Sequence, residues 1–134
     1  MERVSGIGGF FFRSRDPEAL AAWYEQRLGV KPVPESYDGE VWRQEAGETV
    51  FAPFDQKSEM IGPADHTWMI NFRVVDLDAM VAQIRESGEE VDVDPVRHPN
   101  GRFALLRDPE GNRVQLWQPM QPADGGQRAQ PSGG

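Results

Sequence analysis

The sequence predicts an α+β fold. Two β-α-β-β-β half-modules should share one curved, barrel-like mixed sheet of about eight strands, with helices on its convex face and an open concave face. Three observations predict it. An apolar strand running straight into a capped helix, Phe10-Phe11-Phe12-Arg13-Ser14-Arg15-Asp16-Pro17-Glu18-Ala19-Leu20, recurs about sixty residues later as Ile70-Asn71-Phe72-Arg73-Val74-Val75-Asp76-Leu77-Asp78-Ala79-Met80. Each copy leads into an apolar helical stripe and then into short strands separated by turn residues. With 134 residues the chain can build one ordinary core, so the two copies must share it.

The first strand, residues 7–14, alternates faces, placing Phe10 and Phe12 on one side and Gly9, Phe11 and Arg13 on the other. Asp16 then stands where an N-cap is wanted and Pro17 at the first helical position, where a missing N–H costs nothing. Leu20, Trp23, Tyr24 and Leu28 form one stripe of a helix over 17–28, and Gly29 supplies a left-handed stop. Pro32, Pro34, Asp38 and Gly39 punctuate a connection, with a short strand over 30–33. A hairpin over 40–45 and 48–54 turns at Ala46-Gly47.

The second half follows the same plan. A strand over 67–74 enters a helix over 77–86, capped by Asp76, with Leu77, Met80, Val81 and Ile84 as its stripe and Gly88 ending it. A short strand over 91–96 and the turn His98-Pro99-Asn100-Gly101 lead to strands 102–107 and 113–118. These pair across Asp108-Pro109-Glu110-Gly111-Asn112, where Pro109 pre-sets φ and Gly111 permits a positive one. The resulting organisation is a single domain over 1–118, half-modules about 4–54 and 67–118, a polar linker 55–66, and a disordered tail over 119–134.

Lys and Arg number 14 against 22 Asp and Glu, for a net charge of −8. That balance argues against a nucleic-acid partner, which needs clustered cations. There is no Cys, so disulfide and thiolate chemistry are excluded. No apolar run has the ~18 residues of a membrane span, and no leader pattern opens the chain, so a cytoplasmic protein is expected. Ser14 and Ser58 have no His at a spacing that suggests a triad, and Gly6-Ile7-Gly8-Gly9 precedes a strand instead of joining strand to helix, as a phosphate loop must.

The duplication, Asn71-Phe72-Arg73-Val74-Val75-Asp76-Leu77-Asp78-Ala79 and above all Asp108-Pro109-Glu110-Gly111-Asn112-Arg113-Val114-Gln115-Leu116-Trp117 resemble the vicinal oxygen chelate superfamily. This is the glyoxalase, bleomycin-resistance and extradiol-dioxygenase group. The resemblance implies a divalent metal on the concave face, held by His or Glu from the first and last strand of each half. Here those positions fall on Gly9, Met69, Gln115 and, near the equivalent place in the first half, Phe51. Glycine has no side chain, a thioether is soft, and one neutral amide offers no charge to a dication, so no metal and no cofactor are expected. His66 lies three residues from Met69 and so faces the opposite side, and His98 sits in a turn where rim contact or plain exposure is expected.

Strand parity names the lining of the concave face: Phe11, Phe51, Met69 and Trp117 as apolar walls, with Asn71, Gln115, Arg13 and Arg73 as polar groups. The two arginines occupy equivalent positions, where each would meet an anionic or carbonyl group of a ligand or pair with acids such as Glu18 or Asp76. The resemblance therefore implies a metal-free binder of a small, partly apolar molecule. The alternative is a divalent-metal-dependent lyase or dioxygenase with a non-standard site, so enzymatic activity stays open at this point. Relatives commonly dimerise, and open sheet edges need covering, so a homodimer is expected.

Overall fold

The computed structural model describes residues 1–120. Helix α1 spans Pro17–Leu28 and helix α2 Leu77–Glu86, each with the expected bounds. Both are capped as the sequence requires. The Asp16 and Asp76 side chains accept from the Ala19 and Ala79 amides, removing one orphan donor from each first turn. Gly29 closes α1 in the left-handed conformation at φ 75°, which a side chain would resist.

The sheet has four strands: β1 (Ile70–Arg73), β2 (Asp92–Val93), β3 (Gly101–Arg107) and β4 (Arg113–Pro119). Their order is β1-β4-β3-β2, with β1 parallel to β4 and the other pairs antiparallel. This is the β-α-β-β-β order expected of the second half. Arg107 faces Arg113 across the 108–112 turn, where Gly111 takes φ 85° and returns its amide to the Asp108 carbonyl.

Both helices pack on one face of this sheet. Leu20, Trp23 and Tyr24 of α1 and Leu77, Val81 and Ile84 of α2 enclose Ala104, Leu106, Val114 and Leu116, and this cluster is the core. Strand parity leaves Asn71, Arg73, Gln115, Trp117 and Phe103 on the other face.

The first half departs from expectation, because among the described residues it contributes a helix and no strand. Segments 7–14, 30–33, 40–45 and 48–54 lie outside the four-stranded sheet. Register is fixed where one face of a strand is buried, and here Val41, Val50 and Phe51 remain exposed, so nothing on this sheet selects a pairing. Pro32 and Pro34 also remove ladder donors. At the other end β4 runs through Pro119, past the expected boundary at 118, and the expectation of a disordered tail otherwise lies outside the described residues.

Side chains do the work that a strand ladder would have done. The Glu110 carboxylate accepts from the Ser14 hydroxyl and from the Arg15 and Asp16 amides. Arg73 donates to the Glu45 and Ala46 carbonyls, and Arg113 to those of Glu59 and Met60. Phe10 and Phe12 pack with Trp68 at ring-centroid separations of 5.1 and 4.7 Å.

The first of these ties has a pH signature. Hydrogen bonds from the Arg15 amide, then the Ser14 hydroxyl, hold the Glu110 carboxyl below its ordinary value. Its folded-state pKa is lowered, so its contribution is present above the unfolded value and lost as pH falls through the folded one. Acidification below about pH 4.5 should loosen residues 14–16 from the 108–112 turn. Glu110→Gln should remove that part of the acid dependence, read as the amide exchange of Arg15 and Asp16 against pH; an unchanged profile would reject it.

Candidate functional site

An open volume of about 2610 Å³ is lined by residues from both halves and borders both faces of the sheet; the face opposite the helices floors the groove that forms part of it. That volume is well above the ~300–1,000 Å³ of an enclosed small-molecule pocket, and the groove is correspondingly open. Phe11, Met69, Asn71, Arg73, Gln115 and Trp117 line it, six of the eight residues that strand parity assigns to the site. Phe51 and Arg13 do not. Phe51 is exposed away from it, and Arg13 lines a smaller hollow with Ser14, Arg15, His66, Glu110 and Asn112.

The floor is built from facing strand residues. Asn71 stands opposite Gln115 across the parallel β1-β4 pair, and its Nδ2 donates to the Gln115 Oε1 at 2.7 Å. Next along, Arg73, Trp117 and Phe103 form one row across β1, β4 and β3. Trp117 and Phe103 lie within 6° of parallel at a centroid separation of 6.4 Å. The Trp117 indole N–H donates to the Asn100 carbonyl at 2.8 Å, which fixes the ring.

Among the described residues neither arginine pairs with Glu18 or Asp76, and Arg73 takes a third course. The Arg73 guanidinium is spent on the 45–46 turn, 3.0 Å from the Glu45 carbonyl, and so sets that turn against the groove wall. Among the described residues Arg13 has no ion pair. His66 sits half-buried beside Gly111, its Nδ1 buried without a hydrogen-bond partner.

Three contributors escape a reading by parity from helix caps alone. Phe103 follows from the register of the 108–112 hairpin, since Arg107 opposite Arg113 puts Phe103 opposite Trp117. Asp94 and His98 also reach the groove, their side chains 2.8 Å apart through His98 Nε2. The bend between β2 and β3 brings them together, and no periodic signal foretells it.

The positions that the family resemblance assigns to metal ligands carry Gly9, Met69, Gln115 and Phe51, and the Gln115 oxygen already accepts from Asn71. These residues do not fit a divalent metal. Among the described residues no three His, Asp or Glu side chains come together.

The family model of the Glyoxalase/Bleomycin resistance protein/Dioxygenase superfamily matches residues 6–116. The chain belongs to this superfamily. No curated protein matches it. Among solved structures of the superfamily, a glyoxylase/bleomycin resistance protein/dioxygenase domain from Frankia sp. EAN1pec is 16% identical, with 88% of this chain covering 100% of that one at a TM-score of 0.55, a likeness of fold. TnmS3, an antibiotic binding protein from Streptomyces sp. CB03234, is 38% identical over 40% of this chain and 45% of its own, with a TM-score of 0.37. A glyoxalase/bleomycin resistance protein from the same strain is 41% identical over 37% and 42%, with a TM-score of 0.33. The chain thus spans less than half the length of these two Streptomyces proteins. Among the described residues no helix is long and apolar enough to cross a membrane.

Proposed function

We propose that this protein binds a small, partly apolar molecule on the open face of its sheet without a metal, in a sequestering, sensing or carrier role. One observation carries the reading: where the superfamily's enzymes need His or Glu as metal ligands, this floor has an amide pair, Asn71 with Gln115, beside the aromatic wall of Trp117. Neutral donors and acceptors among apolar walls suit orientation of a ligand, not polarisation of one.

The complete form is two β-α-β-β-β units in a barrel-like sheet, with a second copy covering the apolar side chains that the first half leaves in solvent. Val41, Val50, Phe51 and Phe54 are exposed, and β1 has a neighbour on one side alone. In that form Phe51 and Arg13 join the groove. Sedimentation equilibrium should return twice the 15.1 kDa of one chain.

The deciding experiment is elemental analysis of protein purified without chelator, with divalent-metal titration followed by thermal unfolding. Specific binding at a hundredfold excess over Kd raises stability by about 2.7 kcal/mol. No stoichiometric metal and no midpoint shift are expected, together with stoichiometric uptake of a small molecule without turnover. Tight metal with a raised midpoint would overturn the reading in favour of a metal-dependent lyase or dioxygenase with a non-standard site.

A further inference from the structure

Resting on that reading, we propose that Arg73 is an exchange latch: a carboxylate or phosphate group on a ligand draws its guanidinium off the 45–46 turn and releases that turn from the groove. Arg73 ends β1 on the face that carries Asn71 and Gln115, and it lines the groove. Its Nη2 donates to the Glu45 carbonyl at 3.0 Å and its Nη1 to the Ala46 carbonyl at 3.5 Å, the second long for a hydrogen bond. Among the described residues it has no carboxylate partner, although Glu45 itself stands in the turn it grips. Lys31, another cation bordering the same space, is already paired with Glu40. Charge-assisted bonds are roughly twice as strong as neutral ones, and the planar fork fits two oxygens of one carboxylate or phosphate at once. An anion therefore outcompetes the two carbonyls, which pass to water because residues 45–47 are exposed.

The turn has little else to hold it. Among the described residues, these two bonds are the only hydrogen bonds made by residues 41–54. Further back, Trp42 packs edge-on against Phe72, which joins the core on the other face of β1, at a centroid separation of 6.4 Å. The segment therefore stays moored when its tip is freed. Gly47 completes the device. A Cβ there would collide with Arg73 Nη1, so the guanidinium seats on the turn because residue 47 has no side chain. The backbone at Gly47 is not left-handed, and the atom in the way is the end of a flexible side chain, so alanine is tolerated and only displaces it. Gly47→Ala thus opens the latch while leaving in place the residue that meets the anion.

Three probes with one apolar body test this on the full chain: cyclohexanecarboxylate, cyclohexyl phosphate and the neutral cyclohexanecarboxamide, with Kd and backbone carbonyl-carbon shifts read from NMR spectra. At neutral pH either anion should bind about tenfold more tightly than the carboxamide, and the tighter of the two names the group. Saturating anion should move the Glu45 and Ala46 carbonyl signals to where Arg73→Gln places them without ligand. Arg73→Gln should bring the three probes within about twofold of one another, and Gly47→Ala should strengthen both anions about threefold by removing their competitor. Anions no tighter than the carboxamide would overturn the inference and leave small-molecule binding intact. Tight anions that leave the two carbonyl signals unmoved, or that Gly47→Ala weakens, would overturn it as well. Binding of no probe would remove both.

Discussion

Asp108→Ala is expected to cost about 3–5 kcal/mol of stability and to lower the unfolding midpoint by roughly 10–15 °C. Asp108 is 4% exposed, a buried acid among the core's neighbours. Its Oδ1 accepts from the Glu110 and Asn112 amides, and its Oδ2 from the Asn112 side-chain amide and, at 2.7 Å, from the Tyr24 hydroxyl. One carboxylate therefore closes the β3-β4 turn and anchors α1 to it across the core. Alanine leaves those donors buried or misdirected, and the loss exceeds the worth of the bonds because each orphan keeps its desolvation cost.

The partner variant separates the two roles. Burial, then the bond to Asp108, pushes the Tyr24 phenol up, so Tyr24 stays a neutral donor across the working range. Tyr24→Phe should remove one bond and cost about 1–2 kcal/mol, with the turn intact. Chemical denaturation of both variants settles the matter, and an alanine effect no larger than that of Tyr24→Phe would reject the network.

Gly101→Ala should be nearly as damaging, by about 2–4 kcal/mol, from strain and overlap together. Gly101 opens β3 at φ 133°, and a Cβ there would collide with the Gln118 carbonyl oxygen and come within 2.8 Å of Trp117 Nε1. Both neighbours are stiff: one is backbone of the paired strand, the other a ring tied to Asn100. Gly88 is the control, with φ 98° and open space around its would-be Cβ, so Gly88→Ala carries conformational strain alone, about 1–2 kcal/mol. Equal losses at the two glycines would show that overlap contributes nothing. The Trp117 indole signal should shift in the first variant and hold in the second.

The helices were legible because their information is local. Asp16, Pro17 and Gly29 bracket α1 without help from the rest of the chain, and the spacing of Leu77, Val81 and Ile84 names the buried face of α2. The second-half strands were legible for the same reason, through the 108–112 turn and the alternation on either side. The first-half strands lack that support, because a strand needs a partner, and residues 7–14, 30–33, 40–45 and 48–54 have none among the four described strands. At the site, parity placed Asn71, Gln115 and Trp117 on one surface. It was silent on Arg73 and the 45–46 turn, on Tyr24 and Asp108, and on Asp94 and His98, since these meetings depend on chain bends and distances that no short-range pattern encodes.

The parallel pairing of β1 with β4 also sets an order of assembly. Asn71 and Gln115 are 44 residues apart, whereas β3 and β4 are joined by one short turn. Loop-closure entropy rises with the logarithm of loop length, so bringing β1 home costs about 2 kcal/mol more than closing the hairpin. The amide pair on the floor of the groove therefore forms with the last strand to dock, after β3 and β4 have made the surface that receives it. A chain folding in this order closes the β3-β4 hairpin before Asn71 meets Gln115.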